Sequence, residues 1–164
     1  MNAGPELRVI TADDWAAFRA LRLRALGDSP DAFSVTLAEA ADNPESVWRA
    51  RAAGPGPVVM AFEGGQAVAM GGAHLPEGSP DVFVWGMWVA PESRGRGLGG
   101  RLLAELLDRV RVHERAVWLH VSERNDGARR LYEAHGFLST GEWQPLREGS
   151  GVRIETMRLG PASG

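Results

Sequence analysis

Val82-Phe83-Val84-Trp85-Gly86-Met87-Trp88-Val89 runs, through Ala90-Pro91-Glu92-Ser93, into Arg94-Gly95-Arg96-Gly97-Leu98-Gly99-Gly100. The apolar run reads as a buried strand. Gly86 in its middle predicts a bulge or a close backbone approach. After the glycines, Leu98, Leu102, Leu103, Leu106, Leu107 and Val110 fall on one helical face, and Glu105, Asp108, Arg109 and Arg111 on the other. A helix from Gly97 to about Val112 is therefore expected to pack on a sheet. The turn between strand and helix leaves backbone N–H groups bare at the positive end of the helix dipole, where a phosphate group binds. Glycine admits the anion closely because no Cβ intervenes. Arg94, Arg96 and Arg101 add positive charge nearby.

Three ligand types could use such a turn. Gly95, Gly97 and Gly100 satisfy the dinucleotide spacing G-x-G-x-x-G, and Glu123 lies near the place of a ribose-binding acid. Against this, Pro91 to Arg94 separate strand from glycines where the dinucleotide turn is tight. The chain beyond Glu123 is also too short and too β-rich to finish a doubly wound fold. A Walker-type loop needs Lys and a hydroxyl after its last Gly, but Arg101 and Leu102 stand there.

Working outward, Leu7 to Thr11 reads as a first strand. A helix follows from about Asp14 to Leu26, with Trp15, Phe18, Leu21, Ala25 and Leu26 at helical spacing and Arg8, Arg19, Arg22 and Arg24 in or near it. Gly27 to Pro30 is expected to break it. Asp31 to Asn43 is ambiguous, with Phe33, Val35 and Leu37 at strand spacing. Pro44 opens a short helix to Ala52. Val58–Glu63 and Gln66–Ala73 flank Gly64-Gly65 as a hairpin. Val117 to Ser122 is a strand. Asn125 caps a helix from Asp126 to about His135, ended by Gly136. Phe137–Trp143 and Val152–Leu159 close the chain as strands. The order βα(α)βββαβαββ mixes hairpins with one crossover, so the class is α/β (α+β) with a mixed sheet.

The 164 residues suit a single domain, and 44% hydrophobic with 24% charged is an ordinary globular balance. No run is long enough to span a bilayer and the first residues are not a signal segment, so the default expectation is a cytoplasmic protein without a membrane partner. With no Cys, thiolate metal sites and Cys nucleophiles are excluded; no metal is expected. A net charge of −3 gives no reason to expect nucleic acid. All 18 basic residues are Arg, so no lysine amine is available to an activated acyl donor.

Arg94-x-x-Gly97-x-Gly99 after a strand, then Leu119-x-Val121, Asn125-x-x-Ala128-x-x-Leu131-Tyr132 and Gly136-Phe137, resembles the GCN5-related N-acetyltransferase (GNAT) family. Leu21 to Leu26 and Asp28 to Phe33 look like the opening of many bacterial members. The resemblance implies one GNAT-like domain over residues 1–164, with a mostly antiparallel sheet of about seven strands and about four helices. It implies acetyl-CoA as cosubstrate, its diphosphate on the amides of Arg94, Gly95, Arg96, Gly97, Leu98, Gly99 and Gly100. Its pantetheine would pair with Met87, Trp88 and Val89, with Asn125 and Ala128 on the far side. Tyr132, the only Tyr, would be the general acid. Many relatives carry a Glu on the central strand where Trp85 stands here. His120 is the preferred substitute base, with His74, Asp81, Glu123 or a water relay as alternatives. Trp85, Trp88 and Trp118 fall close to the site in sequence. The expected reaction is acetyl transfer to a primary amine of a small molecule or peptide by direct attack in a ternary complex. A ribosomal-protein-type N-terminal acetyltransferase and a non-catalytic acyl-CoA-binding regulator are the alternatives. A homodimer is a further expectation, since relatives commonly pair.

Overall fold

The computed structural model describes residues 4–111 and 115–160; the expected helix end at Val112 lies outside them. In chain order the elements are β1 (Glu6–Val9), α1 (Trp15–Asp28), α2 (Leu37–Ala41), α3 (Glu45–Ala53), β2 (Val58–Glu63), β3 (Gln66–His74), β4 (Asp81–Val89), α4 (Leu98–Arg111), β5 (Ala116–Ser122), α5 (Asp126–Ala134), β6 (Phe137–Pro145) and β7 (Arg153–Leu159). The order of strands and helices matches the expected one except for α2, a short helix in the stretch that the sequence leaves ambiguous. The seven strands form one sheet, β1-β2-β3-β4-β5-β7-β6. Every neighbouring pair is antiparallel except β4–β5. A dinucleotide fold would need a mostly parallel sheet, so that reading falls here.

Two cores lie on the two faces of the sheet. On one, α4 buries Leu98, Leu102, Leu103, Leu106, Leu107 and Val110 to 3% exposure or less, against Val59, Val82, Val84, Val117 and Leu119. Each such side chain contributes about 1.5–3 kcal/mol. On the other, α1 packs Phe18, Leu21, Ala25 and Leu26 with Trp48 of α3 and with Met60, Met70 and Trp88 of the sheet. Phe18 and Trp48 meet edge to face, centroids 5.5 Å apart.

α1 ends within the expected break from Gly27 to Pro30, at Asp28 with Ser29 as its cap. The stretch with Phe33, Val35 and Leu37 is not a strand: Pro30–Ala32 forms a 3-10 turn and α2 begins at Leu37. Thr36 caps α2, its hydroxyl oxygen accepting from the Glu39 N–H at 3.2 Å; the period-two apolar spacing yields to that cap. Among the described residues no helix is long and apolar enough to cross a membrane.

Candidate active site

The site begins where two central strands part. β4 and β5 pair at only three positions, Asp81 with Ala116, Val82 with Val117 and Phe83 with Trp118. Beyond Phe83, β4 stays with β3. Met70 is opposite Trp88 while Gly72 is opposite Trp85, so β4 holds one extra residue there. Gly86 supplies that bulge with φ +68°, a left-handed conformation that an L side chain resists. The bulge bends β4 and leaves its far edge unpaired. Ala90 N–H donates to Val68 O at 2.8 Å. Alternation along the strand then turns the Val89 N–H to the free edge, facing the split.

Three connected hollows occupy the split. A groove of about 830 Å³ runs between Met87, Trp88 and Val89 on one side and Asn125, Ala128, Leu131 and Tyr132 on the other, with Arg94, Gly95 and Gly99 at one end. A neck of about 50 Å³ adjoins it, lined among others by Gly86, Met87, His120, Ser122, Asn125 and Tyr132. A cavity of about 570 Å³ lies beyond, between Trp85 and Phe83 of β4, His120 of β5, Arg22 of α1, Arg51 of α3 and His74 of β3. Ala32 touches all three. It sits in a strap, residues 28–33, held by Asp31 to Arg124 (3.0 Å) and by the Phe33 carbonyl to Arg147 Nη1 (2.8 Å).

The glycine turn divides by role. Gly95 and Gly97 have φ of +81° and +75°, which aims the chain into α4. Gly99 and Gly100 are helical and lie beside α5: a Cβ on Gly99 would lie 3.4 Å from Leu131, and one on Gly100 3.5 Å from His135, both ordinary contact distances. The first helical bond is Arg101 N–H to Gly97 O. The N–H groups of Leu98, Gly99 and Gly100 therefore have no intrahelical partner. The Leu98 side chain is buried in the core, so only its backbone can serve a ligand.

The three arginines that sequence places together are separated in space. Arg94 stays at the groove, its Nε donating to Val89 O (2.8 Å) and its Nη2 to Asp28 (3.1 Å). Arg96 turns to Glu63 at 2.6 Å, and Arg101 donates to Pro5 O. Asp28 also accepts from Trp88 Nε1 at 3.2 Å. Hydrogen bonds from Ser29, Arg94 and Trp88 hold its carboxyl below the ordinary range. Asn125 spends its side-chain oxygen on the α5 cap, accepting from Ala128 N–H at 3.1 Å. Its NH₂ has no partner among the described residues.

Tyr132 lines both groove and neck and is 6% exposed. Its ring meets Phe137 edge to face, centroids 6.0 Å apart. Its hydroxyl has no hydrogen-bond partner among the described residues, and burial pushes its pKa up. His120 lines neck and cavity. The side chain is exposed on β5, and the partial desolvation it meets lowers its pKa from the ordinary 6.5, which favours the neutral ring. Of the alternatives for a base, His74 lines the cavity. Asp81 lies at the closed end of the β4–β5 pair, and Glu123 is engaged by the Arg153 N–H at 2.9 Å. Trp85 lines the cavity and Trp88 the groove, whereas Trp118 lines none of the three hollows.

Arg22 is a site residue that sequence reasoning leaves as one of four arginines around the first helix. Its signal is spacing: Phe18, Leu21, Arg22, Ala25 and Leu26 form one buried stripe, in which a charge is out of place.

Residues 16–137 match the family described as Acetyltransferase (GNAT) family. The chain belongs to that family. It is 48% identical over 60 residues to an L-2,4-diaminobutyric acid acetyltransferase of Nocardia farcinica, covering 36% of this chain and 31% of that one. It is 37% identical over 102 residues to the N-alpha-acetyltransferase RimI of Mycobacterium tuberculosis, covering 61% of this chain and 63% of that one. The matched stretches thus span less than two thirds of either relative. A GNAT superfamily phosphinothricin acetyltransferase from Sinorhizobium meliloti, solved in complex with AcCoA, superposes with a TM-score of 0.73 at 19% identity, over 95% of this chain and 88% of that one. The fold is that of the family.

Proposed function

We propose that the protein is an acetyl-CoA-dependent N-acetyltransferase, a single cytoplasmic domain acting on a primary amine of a small molecule or peptide. The observation that carries this is the continuous passage from the bare amides of α4, along the free edge of β4, through a neck at Tyr132 to a separate cavity. One ligand can enter from each end, and they meet at the neck. Membership of the acetyltransferase family supports the same reading.

The diphosphate of the cofactor rests on the N–H groups of Leu98, Gly99 and Gly100 and the loop from Arg94 to Gly97. The pantetheine arm lies along Met87, Trp88 and Val89, with Asn125 NH₂ and Ala128 opposite. An alkyl amine with pKa near 10.4 is neutral in only about one molecule in a few thousand at pH 7. His120, neutral and at the neck, takes the proton. The amine nitrogen attacks the thioester carbonyl while the Val89 N–H stabilises the oxyanion. The C–S bond then breaks, the departing thiolate takes a proton from Tyr132, and the second proton shed by the amide nitrogen returns that oxygen to its hydroxyl form. The raised pKa of that hydroxyl keeps it protonated throughout the working range.

Thiol release from acetyl-CoA across a panel of amines tests the reading, together with the heat of coenzyme A binding. No heat with coenzyme A, or tight binding with no release for any amine, would refute it. The likeness to the mycobacterial N-alpha-acetyltransferase favours a second reading, transfer to a protein N-terminus. Short peptides with free N-termini in the same panel distinguish the two.

A further inference from the structure

The acceptor cavity contains an unsolved charge problem. Arg22 is 8% exposed, yet its guanidinium makes no hydrogen bond among the described residues, and its Nη1 is fully buried without a partner. Such a group is expensive to bury: the charge is largely withdrawn from water, and the Nη1 donors gain nothing polar in return. The rings of Phe33 and Trp85, 4.8 and 5.7 Å from its Cζ, offset part of this through cation–π attraction. They satisfy no donor. Arg51 lines the same cavity and adds a second positive charge. Among the described residues, the other titratable groups there are His74 and His120, and no carboxylate lines the cavity. Asp28, the acid nearest in sequence on α1, is committed to Trp88 and Arg94. Repulsion from Arg51, added to the larger effect of burial, lowers the Arg22 pKa to about 10, still far above neutrality.

The position is as telling as the isolation. A Cβ on Gly86 would lie 3.4 Å from Arg22 Nη1. The guanidinium therefore rests against the β4 bulge, beside the neck where the two ligands meet. An anion held there sits within a few bonds of the attacking nitrogen. The rest of the wall is largely apolar, with Val58, Phe83, Leu119, Leu146 and Ile154.

We infer that the acceptor is an amino carboxylate, an amino acid with an apolar remainder, whose carboxylate is bound by Arg22 with Arg51 as the second cation. The fork of a guanidinium matches a carboxylate with two parallel hydrogen bonds, and this pairing replaces the water lost on burial. The two cations also work against a like-charged acceptor, so the cavity selects by repulsion as well as attraction. This inference rests on the acetyltransferase reading.

The test uses matched acceptors: L-phenylalanine, L-phenylalaninamide and 2-phenylethylamine, with L-leucine and isopentylamine as a second set. Thiol release from acetyl-CoA is measured for the wild type, Arg22→Gln and Arg22→Lys. The wild type should prefer the carboxylate member by about 100-fold or more in kcat/KM, the worth of a buried charged pair. Arg22→Gln should bring that ratio to within a few-fold of one, and Arg22→Lys should restore part of it. A binding arm does not need turnover: N-acetyl-L-phenylalanine and its amide are titrated by calorimetry into protein saturated with coenzyme A. Carboxylate-dependent heat that Arg22→Gln abolishes supports the inference. The melting temperature of Arg22→Gln should equal or exceed that of the wild type, because an unpaired buried charge has gone.

A wild-type ratio near one, or below it, overturns the inference. So does an Arg22→Gln variant that loses equal activity on both members of a pair while its melting temperature falls, the mark of a structural arginine. If coenzyme A gives heat and carboxylate-free amines are acetylated, only this inference fails. If coenzyme A gives no heat and no acceptor releases thiol, the reading beneath it fails too.

Discussion

Replacing Tyr132 with Phe removes one oxygen and leaves the packing in place. The ring is 6% exposed and meets Phe137 edge to face at 6.0 Å, contacts that Phe reproduces. The hydroxyl bonds nothing among the described residues, so the folded state loses no hydrogen bond. Stability should change by no more than about 0.5 kcal/mol. Turnover should not survive so well. Without a proton donor at the neck, the thiolate must leave unprotonated, and loss of a positioned acid costs on the order of 10²–10⁴ in rate. At 1.36 kcal/mol per decade that is roughly 3–5 kcal/mol of barrier, far above the change in stability. Burial holds the Tyr132 hydroxyl above its ordinary pKa of 10, so the deficit should be constant from pH 6 to 9. The assay is initial-rate thiol release at saturating acetyl-CoA, with urea denaturation and coenzyme A calorimetry as controls for fold and cofactor binding. Turnover within threefold of wild type, on a folded variant with intact cofactor binding, would remove Tyr132 from the chemistry. A loss of more than 2 kcal/mol in stability would show that the hydroxyl has a structural partner.

Three further substitutions follow from the same geometry. His120→Ala should lower kcat/KM by about 10²–10⁴ and abolish an acid limb that, in the wild type, rises with pH through a value below 6.5; an unchanged pH profile would exclude His120 as the base. Gly97→Ala meets no atom within 4 Å but must hold φ +75°. It should cost about 1–2 kcal/mol in urea denaturation and weaken coenzyme A binding, and full stability would show that the turn relaxes. Glu155 is 2% exposed and paired with Arg129 at 2.8 Å, with Ser139 Oγ and the Gly141 N–H also donating to it. Burial pushes its carboxyl up, but those three partners outweigh burial and hold it below 4.5. Its contribution is therefore complete above about pH 4.5 and is lost as pH falls through the lower folded value. The gap in urea midpoint between wild type and Glu155→Gln should be open at pH 7 and narrow towards pH 3; a constant gap would contradict the assignment.

Much of the fold was legible because it is written in local chemistry. The leucine stripe of α4, the Gly64-Gly65 hairpin and the Asn125 cap each depend on neighbours within a few residues. Gly86 signalled the β4 bulge for the same reason: one residue without a Cβ sits where every neighbour is bulky. Where two local signals competed, as between the strand spacing of Phe33 to Leu37 and the Thr36 cap, spacing alone misled. The glycine turn was legible as a whole but not in its parts. Gly95 and Gly97 answer to backbone torsion, whereas Gly99 and Gly100 lie in helical backbone with room for a Cβ, and a one-dimensional motif cannot tell the two pairs apart.

The sequence by itself determined the strands, every helix but α2 and the glycine motif of the family, since periodicity, caps and turns are settled by contacts close along the chain. Only the tertiary structure decided that β7 inserts between β5 and β6, that Arg96 and Arg101 turn away to Glu63 and Pro5, and that Asn125 divides itself between a helix cap and the groove. It alone brought Arg22 against Gly86 from 64 residues away, with no carboxylate among the described residues to meet it. Strand pairing and ion pairing are choices among distant partners, and each is settled by what the rest of the fold leaves within reach.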